Sequence, residues 1–288
     1  MPYAEVSPGI SVFYEDWGEG NRYIFTSQIY LDYYAGYARE LSRHGYHVIA
    51  VQMRGYGKSS RIRQEDTSSD FWVTDVLKVA DQLGVKRFVY TGISHGSGLG
   101  WAMLRDYPER LLAFAGVVCG PKLKGNHPTS FSWRERDVAR GATEEGWKQR
   151  CEENRRNILA EIRPYHSEYW KEQLRLFAQM DYETQMALDP LERMMTFGKR
   201  KEDPLDTEEK LIAWMKTVRT PVIIFGGMQD PIVIPEAMYR TAMNVPDCKM
   251  IMYQDCGHGV SLAHGEDLVY EIDHFLKERR VFEGIGEE

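Results

Sequence analysis

The sequence predicts an α/β protein with a mostly parallel, eight-stranded sheet, helices on both of its faces and an inserted helical cap. Three observations support this fold class. Short apolar segments alternate with amphipathic, helix-like segments; the apolar segments are nearly continuous; and the alternation stops for about a hundred residues between positions 120 and 220. Continuous apolar strands are typical of parallel sheets whose two faces are both covered by helices.

Eight segments have the apolar and β-branched composition of strands. The first two flank Ser-Pro-Gly at residues 7–9, which predicts an opening hairpin, and the later ones alternate with predicted helices as in successive β-α-β units. The predicted strands are 3–6, 11–16, 23–26, 46–52, 87–93, 111–119, 221–225 and 248–253. The predicted helices of the same core are 33–44, 70–83, 96–106, 235–244 and 266–278.

Helical signals occupy the region between the sixth and seventh predicted strands. Thr143 and Thr207 each precede a pair of glutamates, as at the start of many helices, and residues 166–180 carry apolar side chains at helical spacing. We therefore expect residues 121–218 to form a helical cap that is inserted into an α/β core made of residues 1–120 and 219–288.

Charge and cysteine content exclude some classes of function. A formal net charge of -7 offers no concentration of positive charge for nucleic acid or for an acidic membrane, so neither partner is expected. Four cysteines without a Cys-x-x-Cys pair indicate reduced thiols, and no signal-peptide core is present, so we expect a cytoplasmic protein. No metal-site motif or phosphate-binding loop is present, so we expect no metal and no other cofactor.

Residues 92–96 are Gly-Ile-Ser-His-Gly and continue directly from an apolar predicted strand. A serine on a sharp strand-to-helix turn adopts strained backbone angles that expose its hydroxyl, and glycines on either side leave room for the turn. The pattern predicts a nucleophile elbow centred on Ser94. A glycine-rich turn without chemistry is one alternative; a dinucleotide-binding loop is another, which the Gly-x-Gly-x-Gly spacing at 96–100 disfavours.

A reactive serine needs a base within hydrogen-bond reach and a carboxylate that orients the base. Among eight histidines, His258 is the favoured base, and Asp230, which follows an apolar predicted strand, is the favoured acid. Asp255 is the second candidate for the acid, and an ordinary turn aspartate is the alternative interpretation of Asp230.

Four segments together resemble the α/β-hydrolase fold family, and the resemblance covers almost the whole chain outside the predicted cap. They are the elbow at 92–96, Arg-Gly-Tyr-Gly-Lys-Ser at 54–59, the strand at 221–225 with Asp230 after it, and Gly-His at 257–258. The resemblance implies the chain order serine, acid, histidine, which Ser94, Asp230 and His258 follow.

The family also holds the developing oxyanion with backbone N–H groups, which by register belong here to Gln28 and His95. The chain departs from the family in this loop, because residues 25–30 lack the usual His-Gly. Gln52 stands where many members have an aspartate, and the sequence gives no reason for this.

The expected substrate is a small, largely apolar molecule. The hydroxyls of Thr26, Ser27 and Tyr30 are candidates to bind a polar group of it, and Trp170 and Met186 in the cap are candidates to line an apolar pocket. The alternative is that the hydroxyls form ordinary loop hydrogen bonds and that the apolar residues fill the core of the cap.

We expect a serine hydrolase that cleaves a carboxylic ester or lactone through an acyl-enzyme. Two other functions stay open, because a fold alone does not fix a reaction. The first is non-ester chemistry on the same fold, namely carbon-carbon bond hydrolysis, cofactor-free oxygenation or a lyase reaction. The second is a receptor-like protein that binds a ligand with slow or no turnover. The oligomeric state is also open, with a homodimer as one option.

Overall fold

The computed structural model describes residues 2–31, 36–63, 68–121, 140–194 and 204–284. Within these ranges eight strands form one sheet. The strands are β1 (Tyr3–Ser7), β2 (Ile10–Trp17), β3 (Tyr23–Gln28), β4 (His47–Gln52), β5 (Phe88–Ile93), β6 (Leu111–Val117), β7 (Val222–Gly227) and β8 (Cys248–Tyr253).

The helices follow the predicted alternation. In chain order they are α1 (Gly36–Leu41), α2 (Ser69–Gln82), α3 (His95–Asp106), α4 (Glu144–Ala160), α5 (Glu168–Met186), α6 (Pro190–Met194), α7 (Glu208–Met215), α8 (Pro235–Asn244), α9 (Val260–Ala263) and α10 (Gly265–Glu278). Part of the helix predicted at 33–44 falls on residues 32–35, which lie outside the described ranges, as do 122–139 and 195–203 of the predicted cap.

The strand order in the sheet is β1-β2-β4-β3-β5-β6-β7-β8. β1 pairs with β2, and β2 with β4, in antiparallel fashion, whereas every pair from β4 through β8 is parallel. The predicted mostly parallel, eight-stranded sheet is therefore confirmed. Because parallel strands all end at the same edge of a sheet, the loops that follow β3, β5, β6, β7 and β8 come together at that edge.

Each face of the sheet is covered by its own apolar core. On β5, Phe88 and Tyr90 face a core that includes residues of α2, α3, α7 and α8. Val89 and Ile93 face the other core, which includes residues of α1, α5 and α10. This burial on both faces explains why the strands are continuous apolar runs and do not alternate with polar residues.

The helices α4 to α7 lie between β6 and β7 in the chain, where the cap was predicted. Thr143, Ser167 and Thr207 cap the starts of α4, α5 and α7, since each hydroxyl oxygen accepts a hydrogen bond from a backbone N–H of the first turn. No helix in the described ranges combines the length and the apolar character needed to cross a membrane.

A buried ion pair fixes the turn after β4 to α2. Arg54 and Asp75 are only 4 % and 1 % exposed at their side chains. Two nitrogens of the guanidinium, Nε and Nη2, donate hydrogen bonds to the two oxygens of the carboxylate, and the distance from Arg54 Nε to Asp75 Oδ2 is 2.7 Å. The same guanidinium donates to Ser7 Oγ at 3.3 Å, which adds β1 to the contact. This explains the arginine at the start of the 54–59 motif.

We predict that Asp75→Ala lowers the free energy of unfolding by about 3 to 5 kcal/mol, because it leaves a buried guanidinium without its counter-charge. Urea denaturation measures the loss. Asp81→Ala is the matched control: Asp81 lies on the same helix and pairs with Arg110, but its side chain is 61 % exposed, so its removal costs less than about 1 kcal/mol. Equal losses in the two variants would contradict this interpretation.

Candidate active site

Ser94 lies in the sharp turn between β5 and α3. Its backbone angles are φ 48° and ψ -108°, in the region that L-amino acids rarely adopt. The turn is held from outside, because Ser94 N donates to Val117 O of the neighbouring strand β6 at 2.8 Å. A Cβ atom on Gly96 would collide with Ser27 O, so the second glycine of the motif is required by close packing against β3.

His258 bridges Ser94 and Asp230. Its Nε2 lies 2.9 Å from Ser94 Oγ, and its Nδ1 lies 2.8 Å from Asp230 Oδ2. An ionised carboxylate can only accept, so Nδ1 carries the proton and Nε2 is left to accept the proton of the serine hydroxyl. The three side chains come from the loops after β5, β7 and β8, and the structure brings them together as the sequence predicted.

The carboxylate of Asp230 is fixed on both oxygens. Its side chain is 1 % exposed, and Oδ1 accepts the backbone N–H groups of Ile232 at 2.8 Å and Val233 at 3.0 Å. The other oxygen is thereby directed at His258. Such a carboxylate can hold the imidazole in one tautomer and one orientation.

Asp255, the second candidate for the acid, is engaged elsewhere. It accepts hydrogen bonds from His264 Nε2 at 2.8 Å and from the Tyr165 hydroxyl at 2.9 Å. Burial opposes its ionisation, but these two hydrogen bonds, the electrostatic attraction of His264 and a backbone hydrogen bond together lower the pKa of Asp255 below its usual value. Of these two aspartates, Asp230 is therefore the one that is hydrogen-bonded to His258.

The main chain at Gln28 corrects one prediction about the oxyanion site. β3 continues two residues beyond its predicted end at residue 26, and Gln28 O accepts a hydrogen bond from Met53 N at 2.9 Å. In a parallel ladder the C=O and N–H of one residue face the same neighbouring strand. The Gln28 N–H therefore faces β4, whereas Ser94 follows β5 on the other side of β3, and this N–H is not an oxyanion donor.

The next N–H along the chain, that of Ile29, faces the Ser94 side. The C=O of Gln28 and the N–H of Ile29 belong to one trans peptide group and so point in opposite directions. In this structure Ile29 N makes a long hydrogen bond of 3.4 Å to Gln28 Oε1. His95 is the first residue of α3, where a backbone N–H has no acceptor within its own helix.

The hydroxyls predicted to bind substrate lie inside the protein. Thr26 and Ser27 are part of β3 and are 0 % and 1 % exposed, and neither hydroxyl has a hydrogen-bond partner among the described residues. Tyr30 is 4 % exposed and packs edge-on against Tyr56 with ring centroids 6.0 Å apart. The extension of β3 explains the burial of Ser27, because it places this residue of the predicted loop in a buried strand.

A cavity of about 240 Å³ opens beside Ser94 along α3. Its walls are mainly apolar. They come from α3, from α7 and from the segment that follows β6. The described residues that line it are Ser69, Ser94, His95, Gly98, Leu99, Trp101, Ala102, Arg105, Cys119, Gly120, Pro121, Leu205, Leu211 and Trp214.

Trp170 and Met186, the predicted pocket residues, are not among the described residues of this lining. Trp170 is 1 % exposed, packs against Gly265 and donates from Nε1 to Leu262 O at 3.0 Å. Met186 packs against an apolar core. Two other tryptophans, Trp101 and Trp214, line the cavity where Trp170 and Met186 were predicted to do so. Their ring centroids lie 6.4 Å apart in an edge-to-face contact. The sequence contained a pattern that could have identified Trp101: residues 94, 98 and 101 have the spacing that places side chains on one face of a helix, the face that begins at Ser94.

One group of potential metal ligands occurs among the described residues: Asp255, Cys256 and His264, whose ligand atoms lie within 4.8 Å of one another. Asp255 and His264 already bond to each other. Burial raises the pKa of Cys256 to about 12, so its sulfur is protonated at neutral pH.

Comparisons with known proteins agree with the observed fold. A family model described as alpha/beta hydrolase fold matches residues 24–264. A non-heme haloperoxidase of Rhodococcus erythropolis is 32% identical over 100 residues, which is 34% of this chain and 36% of that protein. A 2-hydroxymuconate semialdehyde hydrolase of Pseudomonas putida is 22% identical over 232 residues, which is 80% of this chain and 77% of that protein.

Two further similarities extend over nearly the full length. A bifunctional esterase/perhydrolase of Acinetobacter calcoaceticus is 22% identical over 295 aligned positions, covering 96% of this chain and 100% of that protein. The crystal structure of an enol-lactonase from Burkholderia xenovorans LB400 superposes with a TM-score of 0.68 at 18% identity, covering 96% of this chain and 100% of that one. At this identity the structural likeness shows the fold alone.

The strained backbone at Ser94 generates a prediction about stability. Ser94→Gly should have a free energy of unfolding about 1 kcal/mol higher than Ser94→Ala, because only glycine adopts a positive φ without steric cost. Chemical denaturation compares the two variants. Within α3, where backbone angles are ordinary, Ala102→Gly should have the opposite sign and cost about 1 kcal/mol. A Ser94→Gly variant that is less stable than Ser94→Ala would show that the turn is not strained.

Proposed function

The chain belongs to the α/β-hydrolase fold family and is a hydrolase enzyme of that family, and we propose that it cleaves a small, largely apolar carboxylic ester or lactone with Ser94 as nucleophile. One observation carries the proposal: His258 is hydrogen-bonded at once to the Ser94 hydroxyl and to the buried carboxylate of Asp230. This arrangement supplies the base that an unactivated hydroxyl lacks.

The reaction has two halves. In the first, Ser94 Oγ attacks the carbonyl carbon, His258 Nε2 takes the hydroxyl proton, and Asp230 stabilises the resulting imidazolium. The carbonyl oxygen becomes an oxyanion, for which the backbone N–H groups of His95 and Ile29 are the proposed donors. The tetrahedral intermediate collapses, and His258 returns the proton to the leaving alcohol. A water molecule then repeats the sequence and releases the acid from Ser94.

The cavity beside Ser94 supports an apolar substrate. Trp101, Leu205, Leu211 and Trp214 supply hydrophobic surface next to the nucleophile. A volume of about 240 Å³ suits a short acyl or alcohol group, since binding pockets for drug-sized ligands are about 300 to 1,000 Å³. The esterase activity in the name of the full-length Acinetobacter relative agrees with this choice.

A second candidate is hydrolysis of a meta-cleavage product, the substrate class named for a solved structure of the same fold that covers 95% of this chain. The relative named for 2-hydroxymuconate semialdehyde favours the same class over most of the chain length. Hydrolysis of 2-hydroxymuconate semialdehyde, with turnover far above that of aryl esters, would place the activity here.

We predict that Ser94→Ala and His258→Ala each lower kcat for p-nitrophenyl butyrate by about 10⁴-fold or more, because each removes one member of a unit that acts together. Release of p-nitrophenolate measures the rate. His44→Ala is the control for histidine removal, since His44 lies in the 3-10 helix after α1 and lines a different cavity, beside Glu40 and Tyr169. A Ser94→Ala variant with more than about a tenth of the wild-type kcat would contradict a serine nucleophile.

We also predict that Trp214→Ala increases the preference for longer acyl chains, because removal of the indole enlarges the cavity at its α7 wall. The ratio of kcat/KM for p-nitrophenyl octanoate to that for p-nitrophenyl acetate should rise about tenfold. Trp17→Ala is the control: Trp17 is a half-buried tryptophan at the end of β2 whose ring lies under the Arg39 guanidinium of α1. Its removal should leave this ratio unchanged. An unaltered ratio in Trp214→Ala would exclude this cavity as the acyl site.

A further inference from the structure

Two buried glutamines, Gln28 and Gln52, face each other at the ends of β3 and β4. They are partners in the parallel register and are 2 % and 6 % exposed. A buried carboxamide must satisfy both a donor and an acceptor, so its contacts report what the surrounding backbone requires.

Gln52 bridges two loops with the two ends of its side chain. Its Nε2 donates to Ile29 O at 3.1 Å, and its Oε1 accepts from Lys58 N at 2.7 Å. The group fits closely, since a Cβ atom on Gly57 would collide with the carboxamide. A carboxylate at this position could serve Lys58 N but could not donate to Ile29 O.

Hydrogen bonds to the peptide groups before and after Ile29 fix the backbone at this residue. The peptide before it is held by the hydrogen bond from Met53 N to Gln28 O, and the peptide after it by the hydrogen bond from Gln52. The Ile29 N–H is therefore held on the β5 side, toward the Ser94 turn, where its hydrogen bond to Gln28 Oε1 is long, at 3.4 Å, and is readily exchanged for one to an oxyanion. Gln28 joins the same segment to that turn, because its Nε2 donates to Ile93 O at 2.7 Å.

We propose that Gln52 is a positioning residue for the oxyanion site: through Ile29 O it fixes the Ile29 N–H as the second donor, beside that of His95. This inference rests on the proposed function, since it assigns a role within the same site. It also supplies a reason for glutamine at a position where the resemblance leads one to expect aspartate. The loop lacks His-Gly, and in this chain a side-chain donor from β4 fixes the loop.

The test uses Gln52→Glu in the full-length chain with p-nitrophenyl acetate. The new side chain has nearly the same shape and still accepts from Lys58 N, but its ionised form cannot donate to Ile29 O. At about pH 8.5 we expect kcat to fall about 10- to 100-fold, with KM changed by less than about threefold, because misplacing an oxyanion donor acts on the transition state.

A pH series separates positioning from a merely structural effect. A buried carboxyl beside a carbonyl oxygen has a raised pKa, and in its protonated form it can donate as the carboxamide does. The ratio of variant to wild-type kcat should therefore rise at least about threefold as the pH falls from about 8.5 to about 5.5. Gln82→Glu is the matched control: it removes an exposed side-chain donor to a backbone carbonyl, Glu5 O, and should leave the ratio near one.

Gln52→Met provides a second variant that keeps the volume of the side chain but can never donate. Its kcat should fall at least about tenfold at every pH, without recovery in acid. A kcat within about twofold of wild type at about pH 8.5 in either variant, or a Gln52→Glu ratio that does not change with pH, would overturn the positioning role while leaving the proposed function intact. A wild-type chain that releases no p-nitrophenolate would instead overturn the proposed ester hydrolysis and this inference with it.

Discussion

The two hydrogen bonds of the His258 imidazole are the interaction on which the proposed activity depends. One reaches Asp230, whose carboxylate is buried and held by two backbone N–H groups, and the other reaches the Ser94 hydroxyl. The residues are far apart in the chain, and only the sheet brings them together. β5, β6, β7 and β8 are consecutive neighbours in the parallel part of the sheet, so the loops after β5, β7 and β8 open at one edge within side-chain reach.

Backbone hydrogen bonds between neighbouring strands hold this edge in place. Ser94 N donates to Val117 O at 2.8 Å, and Val118 N donates to Phe225 O at 2.7 Å, which connects the ends of β5, β6 and β7. Ser94 and Val118 both have positive φ angles, 48° and 47°. For a β-branched residue such as Val118 this is a true outlier, so surrounding contacts must overcome the strain.

The segment from Tyr165 to Trp170, which includes the first turn of α5, supports the loop that carries His258. The Tyr165 hydroxyl donates to Asp255 Oδ2 at 2.9 Å, His166 Nε2 lies 2.6 Å from Ala263 O, and Trp170 Nε1 donates to Leu262 O at 3.0 Å. These contacts fall on both sides of His258 in the chain. The region between β6 and β7 therefore contributes to the position of His258.

The fold was predictable because its signals are local: apolar runs, turn residues and helix caps each occupy a few adjacent positions. The grouping of Ser94, Asp230 and His258 followed from motifs that end successive strands. The direction of the Gln28 N–H was not predictable, because β3 is extended to Gln28 by pairing with β4, a contact between distant segments. Trp170 could not be assigned for a similar reason, since its apolar ring suits a pocket and a core equally, and only packing against Gly265 decides.

The most direct measurement of the central claim is the intact mass of the protein after incubation with a fluorophosphonate, followed by mapping of the modified peptide. The account predicts one adduct, located on Ser94, that forms much more slowly in His258→Ala. It would be contradicted by a mass that stays unchanged under excess probe, or by an adduct on another residue that forms equally well in Ser94→Ala.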